Sequence, residues 1–112
     1  MNEDKMNKLL KEIFSKMKIL FGDRLSDVIL FGSYARGDYD EESDMDIAVV
    51  VDSTREDLKS FHQDFVNEMA ELAMEYDLVV SFIDIPLKEF NDYKNVLPFY
   101  KNIADEGVRL SA

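Results

Sequence analysis

Two short apolar runs, separated by a glycine-serine pair and an acidic segment, constrain the fold of this 112-residue chain more than any other feature. Residues 28–31 and 46–51 are apolar and rich in β-branched side chains, which is typical of buried strands. A Gly-Ser pair at 32–33 follows the first run, and after ten more residues come Asp44 and Asp46. If the two strands pair antiparallel, the end of the first lies beside the start of the second. The sequence therefore predicts a site at one edge of a sheet.

The residue types at that edge suit a phosphate group and a divalent metal ion. Gly32 and Ser33 form a turn that can offer backbone N–H groups and a hydroxyl to phosphate oxygens, and a short helix expected over residues 34–36 adds the positive end of its dipole. Asp44 and Asp46 are two residues apart on an extended chain, so their carboxylates share one face and can hold Mg²⁺. We therefore expect phosphate and metal to meet here.

The acidic segment and its one arginine also have simpler interpretations. Residues 37–46 carry six carboxylates, and a run of this kind is most often a solvated loop. The adjoining turn and strand are what favour metal binding instead. Arg36 is a candidate ligand for a phosphate, and an ion pair with Asp38 or Glu42 is the alternative.

A two-metal site needs a third carboxylate, and two aspartates bracket the third predicted strand, which spans residues 78–85. A long helix connects the second strand to the third, so a right-handed crossover to a parallel strand is expected. That arrangement brings the start of both strands to one edge and makes Asp77 the third candidate ligand. Asp84 lies roughly 23 Å further along the strand and is expected at the opposite edge.

The remaining pattern predicts an α/β (α+β) chain, one domain over residues 1–112, with a small mixed sheet flanked by helices. Ser53 and Glu56 form a capping-box pattern before the long helix, and Gly22 suits the end of the first helix. Aromatic residues near the C-terminus are expected either in the core or at a contact surface: Phe90, Tyr93, Phe99 and Tyr100. The other predicted elements are a helix over 5–21, a short helical turn over 87–90, a helix over 98–106 and a short strand over 108–110.

Composition limits the partners. The formal net charge of −11 opposes binding to a phosphate backbone, so nucleic acid is not expected as the primary partner. The chain has no cysteine, and no apolar stretch of about 18 residues that could span a membrane, so no membrane partner and a cytoplasmic location are expected.

The 31–46 motif, Gly32-Ser33 followed by Asp44-x-Asp46, resembles the signature of the DNA polymerase β-type nucleotidyltransferase superfamily, and the small size resembles its minimal nucleotidyltransferase branch. Residues 76–81 and 98–108 are similar to that branch as well. The resemblance implies a polymerase β-like palm fold, with Asp44, Asp46 and Asp77 as catalytic metal ligands for two Mg²⁺ ions. It also implies that Gly32 and Ser33 bind the triphosphate of ATP or another NTP.

Members of this branch are commonly antitoxins that adenylylate a small helical toxin, so the resemblance implies transfer of a nucleoside monophosphate, AMP in the first instance, to a hydroxyl of a partner protein. One alternative is a non-catalytic antitoxin that neutralises its partner by stoichiometric binding. Another is a transferase acting on a small molecule such as an aminoglycoside. With only 112 residues, that alternative would require a second copy of the chain or another subunit to build the acceptor pocket.

Overall fold

The computed structural model describes residues 2–111, which form a four-stranded mixed sheet with helices on both faces. A 3₁₀ turn, Gly22–Arg24, links the first helix to the first strand. None of the helices in this part of the chain combines the length and the apolar character required to cross a bilayer. The helices are α1 (Glu3–Phe21), α2 (Ser33–Arg36), α3 (Arg55–Tyr76), α4 (Leu87–Tyr93) and α5 (Pro98–Glu106), and the strands are β1 (Leu25–Phe31), β2 (Met45–Val51), β3 (Val80–Pro86) and β4 (Val108–Arg109).

The sheet has the order β3-β2-β1-β4. β1 pairs antiparallel with β2 and with β4, whereas β2 and β3 are parallel and are joined by the long helix α3. These pairings confirm the predicted α/β class with its mixed sheet. They also confirm that the starts of β2 and β3 meet at the edge where β1 ends.

β2 is the central, most buried strand. Met45, Ile47 and Val49 point into the layer formed with α1 and α3. Ala48 and Val50 point to the opposite face, where they pack in the second apolar cluster, which includes residues of α4 and α5. A strand that is buried on both faces has a continuous run of apolar, β-branched residues, which explains why the sequence pattern predicted β2 so clearly.

The start of α3 differs from the prediction by one residue. Thr54, and not Ser53, caps the helix, because its hydroxyl accepts a hydrogen bond of 3.0 Å from the N–H of Asp57. Ser53 is engaged by the turn after β2: its N–H donates to the Val51 carbonyl, and its hydroxyl accepts from Arg24. Its hydroxyl therefore has a partner outside the helix.

β1 begins earlier than predicted, and β3 begins later. β1 starts at Leu25, three residues before the apolar run. β3 starts at Val80, because Asp77 adopts a left-handed conformation (φ 50°) that ends α3, and the N–H of Leu78 bonds back to Ala73 at 3.0 Å. The chain becomes a strand only after this turn.

Candidate active site

The predicted site forms where β1 ends and β2 begins. Phe31, the last residue of β1, pairs with Asp46 in the antiparallel register, so Gly32 immediately follows that pair. Gly32 has a φ of 74°, and a Cβ at this position would overlap Oδ2 of Asp46. Only glycine both adopts this conformation and leaves room for the carboxylate. The glycine turn and the second aspartate are thus in direct contact.

Asp44 and Asp46 influence each other electrostatically. Partial burial raises the pKa of Asp46 above that of an ordinary aspartate, and the negative charge of Asp44 raises it further, while Arg36 acts in the opposite direction. Like charges held close together disfavour ionisation, and a bound cation relieves that cost. The pair therefore has the electrostatic character of a cation site.

The short helix α2 follows the glycine and orients its first N–H groups towards the same edge. The carbonyl of Gly32 accepts from the N–H groups of Ala35 and Arg36, both at 3.1 Å, and the carbonyl of Ser33 accepts from Gly37 at 2.9 Å. The N–H groups of the first residues of a helix have no partner within the helix. Together with the Ser33 hydroxyl, they provide donors for an anion beside the aspartates.

Arg36 forms ion pairs with neighbouring acids. Its Nε lies 3.2 Å from Oδ2 of Asp38, and its Nη1 lies 3.9 Å from Oε2 of Glu106 on α5. The ion pair that the sequence suggested as the alternative to phosphate binding is therefore present, and Asp38 is one of the two partners of Arg36. About half of the Arg36 side chain remains exposed, so a role in phosphate binding stays a prediction.

Asp77 is not grouped with Asp44 and Asp46. Among residues 2–111, no three His, Cys, Asp or Glu side chains lie close enough together to hold one metal ion. Asp77 lines a cleft of about 430 Å³ whose other side chains include Lys5 of α1 and Tyr34 of α2, together with Asp40 and Glu41 of the acidic segment. The left-handed turn at Asp77 interrupts the strand alternation on which the expectation rested, and a role for Asp77 as the third metal ligand stays a prediction.

The same cleft contains a stacked aromatic pair. The rings of Tyr34 and Tyr39 lie 4.2 Å apart and are nearly parallel, at 6°. Burial raises the pKa of Tyr34, with smaller contributions from Tyr39, Asp40 and Asp44. Asp44 is therefore near enough to both Asp46 and Tyr34 to affect their charge states.

Sequence reasoning missed the side chains that surround the aspartate pair. Asp46 has Phe31 beside it on β1 and Ser81 on β3, and the ring of Phe99 packs edge-on against Phe31 with centroids 5.8 Å apart. Only the register of the parallel strands identifies Ser81, and no local motif marks it. The strand neighbours of Asp46 are therefore apolar or hydroxylic.

The remaining predictions about position are largely confirmed. Asp84 pairs with Val49, well along β3, and its carbonyl accepts a hydrogen bond from Arg55, away from the site. The C-terminal aromatic residues differ in burial: Phe90 is buried in the core and Tyr100 is half-buried, whereas Tyr93 and Phe99 are a little under half exposed. The contact surface stays a prediction.

The donor set fits Mg²⁺. Two carboxylates on one open edge, beside N–H donors for phosphate, match the way proteins bind this ion, through one or two carboxylates plus substrate phosphates and water. Asp44 and Asp46 would hold it.

Comparison with known proteins agrees with this geometry. A family model described as a nucleotidyltransferase domain matches residues 8–110. "Putative protein adenylyltransferase MJ0604" of Methanocaldococcus jannaschii is 36% identical over 108 residues, which cover 96% of each chain. A second protein of that organism with the same kind of name, MJ1305, is 35% identical over 94% of this chain and 76% of its own length.

Solved structures share the fold. One, described as a "putative nucleotidyltransferase from Sulfolobus solfataricus", is 26% identical, covers 93% of this chain and 78% of its own, and superposes with a TM-score of 0.53. A crystal structure of a toxin-antitoxin with AMP-PNP is 23% identical, with a TM-score of 0.57 over 97% of this chain and 72% of its own. The chain belongs to the nucleotidyltransferase domain family and is a nucleotidyltransferase.

Proposed function

We propose that this nucleotidyltransferase transfers AMP from ATP to a hydroxyl group of a partner protein. The observation that supports this most is the contact between Gly32 and the carboxylate of Asp46, which joins the phosphate-binding turn to the metal-binding pair. The relatives named as protein adenylyltransferases support the choice of AMP and of a protein acceptor.

In this proposal each residue has a separate task. Gly32 lets the backbone approach the triphosphate closely, and Ser33 donates from its N–H and its hydroxyl to the β- and γ-phosphates. Asp44 and Asp46 hold Mg²⁺, which, when bound, neutralises phosphate charge. The acceptor oxygen forms a bond to the α-phosphorus as the bond to pyrophosphate breaks, and the hydroxyl proton leaves to solvent at this exposed edge. Catalysis is then positioning and charge neutralisation.

A labelling experiment tests the proposal. We expect ATP labelled at the α-phosphate to mark a protein band in a lysate of the source cells, whereas ATP labelled at the γ-phosphate leaves it unmarked. Asp44→Asn is expected to abolish the band with little loss of folding, since Asp44 is exposed. Glu42→Gln is the matched control, because it removes one charge from the same acidic segment without touching the pair. Full transfer by the Asp44→Asn protein would contradict the proposal.

The partner that we propose to test first is a small helical toxin. The shared fold with a toxin-antitoxin structure motivates that choice. If a variant carrying Asp44→Ala and Asp46→Ala still neutralises the partner at equal abundance, stoichiometric binding replaces adenylylation as the function. Loss of neutralisation, with the partner still bound, supports the enzymatic role.

A further inference from the structure

The side chains closest to the aspartate pair on β3 follow from the strand register. Met45 pairs with Val80 and Asp46 pairs with Ser81. The N–H of Met45 also donates to the Val79 carbonyl at 3.0 Å, so the ladder continues one residue before β3 and places Val79 beside Asp44. Since side chains alternate along a strand, Val79 and Ser81 share the face that carries the two aspartates.

Within the described part of the chain, the neighbouring strand positions beside the pair carry no third negative charge. On the β1 side the neighbour is Phe31, and on the β3 side the neighbours are Val79 and Ser81. Asp77 is two residues before Val79, but its left-handed backbone breaks the alternation. It lines a separate cleft, which it shares with Lys5, Asp40 and Glu41. The face around Asp44 and Asp46 is therefore limited to two carboxylates within the described residues.

Val79 is an exposed apolar residue at this polar edge. Its exposed fraction is 63%, so its side chain contributes little to the core. Exchange for a polar residue at such a position costs little stability. Val79 can therefore be tested for its effect on the site without disturbing the fold.

We propose that Val79 occupies the position from which a third carboxylate would reach the metal site, and that the enzyme therefore holds one divalent ion per bound nucleotide. This inference rests on the proposed function only in taking the aspartate pair as the metal and nucleotide site. One ion shared by two carboxylates and phosphate oxygens satisfies both aspartates, whereas a second ion lacks a ligand of its own. Val79 thus determines the metal content of the site.

Manganese binding tests the proposal directly. Mn²⁺ is titrated into equal amounts of protein and an ATP analogue with a methylene group between the α- and β-phosphorus, and free Mn²⁺ is counted by electron paramagnetic resonance. We expect one ion per complex for the unaltered protein, for Asp77→Asn and for the isosteric control Val79→Asn. Val79→Asp is expected to bind two, the second at least roughly tenfold tighter than any weak additional binding to Val79→Asn, since affinity rises with carboxylate count.

Other results would overturn the proposal. Two tightly bound ions in the unaltered protein, reduced to one by Asp77→Asn, would identify Asp77 as the third ligand. A folded Val79→Asp protein that still binds one ion would show that residue 79 does not reach the site. If the unaltered protein does not raise the Mn²⁺ affinity above that of the nucleotide alone, the aspartate pair is not a metal site. Counting bound Mn²⁺ does not require turnover, so the two proposals can fail separately. One bound ion together with no labelled acceptor in the ATP assay would refute only the proposed function. Two bound ions together with normal labelling would refute only this inference.

Discussion

At the scale of single residues, the site depends on a glycine whose role is steric. Gly32 and Gly37 flank α2 and both have positive φ, 74° and 85°. They differ in their surroundings: a Cβ at Gly32 would overlap the Asp46 carboxylate, whereas a Cβ at Gly37 would meet no atom within 4 Å. Their backbones differ as well, because Gly32 has a ψ of −153°, in a region nearly restricted to glycine, whereas Gly37 has a ψ of 9° in the left-handed helical region. Gly37 therefore serves as the control for a methyl group added at a positive-φ glycine beside α2.

This difference gives a matched pair of variants. Gly32→Ala is expected to cost about 1–3 kcal/mol of unfolding free energy and to lose nearly all transfer, because Asp46 must move. Gly37→Ala is expected to cost about 1–2 kcal/mol for the left-handed backbone alone and to keep most of its activity. Urea unfolding and the α-phosphate labelling assay measure both quantities. Equal activity of the two variants would mean that the contact with Asp46 is unimportant.

Residue identity alone pointed to Gly32, Ser33, Asp44 and Asp46, because the chemistry of phosphate and metal binding needs those types at that spacing, and their roles stay predictions. It could not predict the backbone conformation of Asp77 or the cleft that Asp77 lines. That outcome depends on one left-handed residue and on where β3 begins, and aspartate tolerates this conformation without any local signal.

At the scale of secondary-structure elements, the sequence predicted the helices and strands in their order, and the structure confirms the antiparallel and parallel pairings. Hydrophobic periodicity carries this information, and it is strongest for the doubly buried β2. The residues at which the helices and strands begin and end were predicted less accurately. Thr54 rather than Ser53 caps α3 because tertiary partners engage Ser53, and such partners are not visible in a local pattern.

The ends of α1 and α5 give a second pair of variants. Gly107 has an ordinary backbone (φ −70°), but a Cβ there would overlap the Ile103 carbonyl and the Ile29 side chain, whereas Gly22 has a φ of 60° and open space. We expect Gly107→Ala to cost about 1–3 kcal/mol by forcing β4 away from β1. Gly22→Ala should cost about 1–3 kcal/mol, because a φ of 60° with a ψ of −133° is a sparsely populated backbone conformation for any residue other than glycine.

Amide hydrogen exchange distinguishes the two effects. In Gly107→Ala the amide of Leu110, which donates to Val28 at 2.8 Å, should lose protection, and in Gly22→Ala it should not. Unchanged protection at Leu110 in Gly107→Ala would show that the C-terminal strand tolerates the added methyl group.

α4 and α5 are linked by a hydrogen bond that depends on pH. The hydroxyl of Tyr100 donates to Oε2 of Glu89 at 2.7 Å. Burial raises the pKa of Tyr100 above its ordinary value of 10.0, and the bond to Glu89 raises it further. Above pH 10 the unfolded chain therefore loses this proton while the folded chain keeps it, so stability falls as pH rises from that point.

Tyr100→Phe removes the titrating group. We expect it to cost about 1 kcal/mol at neutral pH, from the lost hydrogen bond, and to flatten the decline of stability above pH 10 relative to the unaltered protein. Urea unfolding at neutral and alkaline pH gives the comparison. Parallel pH profiles for the two proteins would contradict the assignment.

At the scale of the whole molecule, net charge governs encounters. With a formal charge of −11, the protein repels phosphate backbones, and its acidic site segment strengthens that repulsion locally. We expect no measurable binding to labelled single-stranded RNA or duplex DNA at about 50 mM salt, where electrostatic binding is strongest. Fluorescence anisotropy measures this, and saturable binding would show that a basic surface outweighs the net charge.

The burial of β2 also decides which part of the enzyme can move. Asp46 is carried by a strand packed between two layers, and displacing that strand means opening the core, which happens only rarely. The exposed residues 40–44 that precede it are a surface turn, and motions of such segments take nanoseconds to microseconds. In the proposed reaction, Asp46 is therefore a fixed reference point, and the approach and release of substrates must be accommodated by the chain on its solvent side.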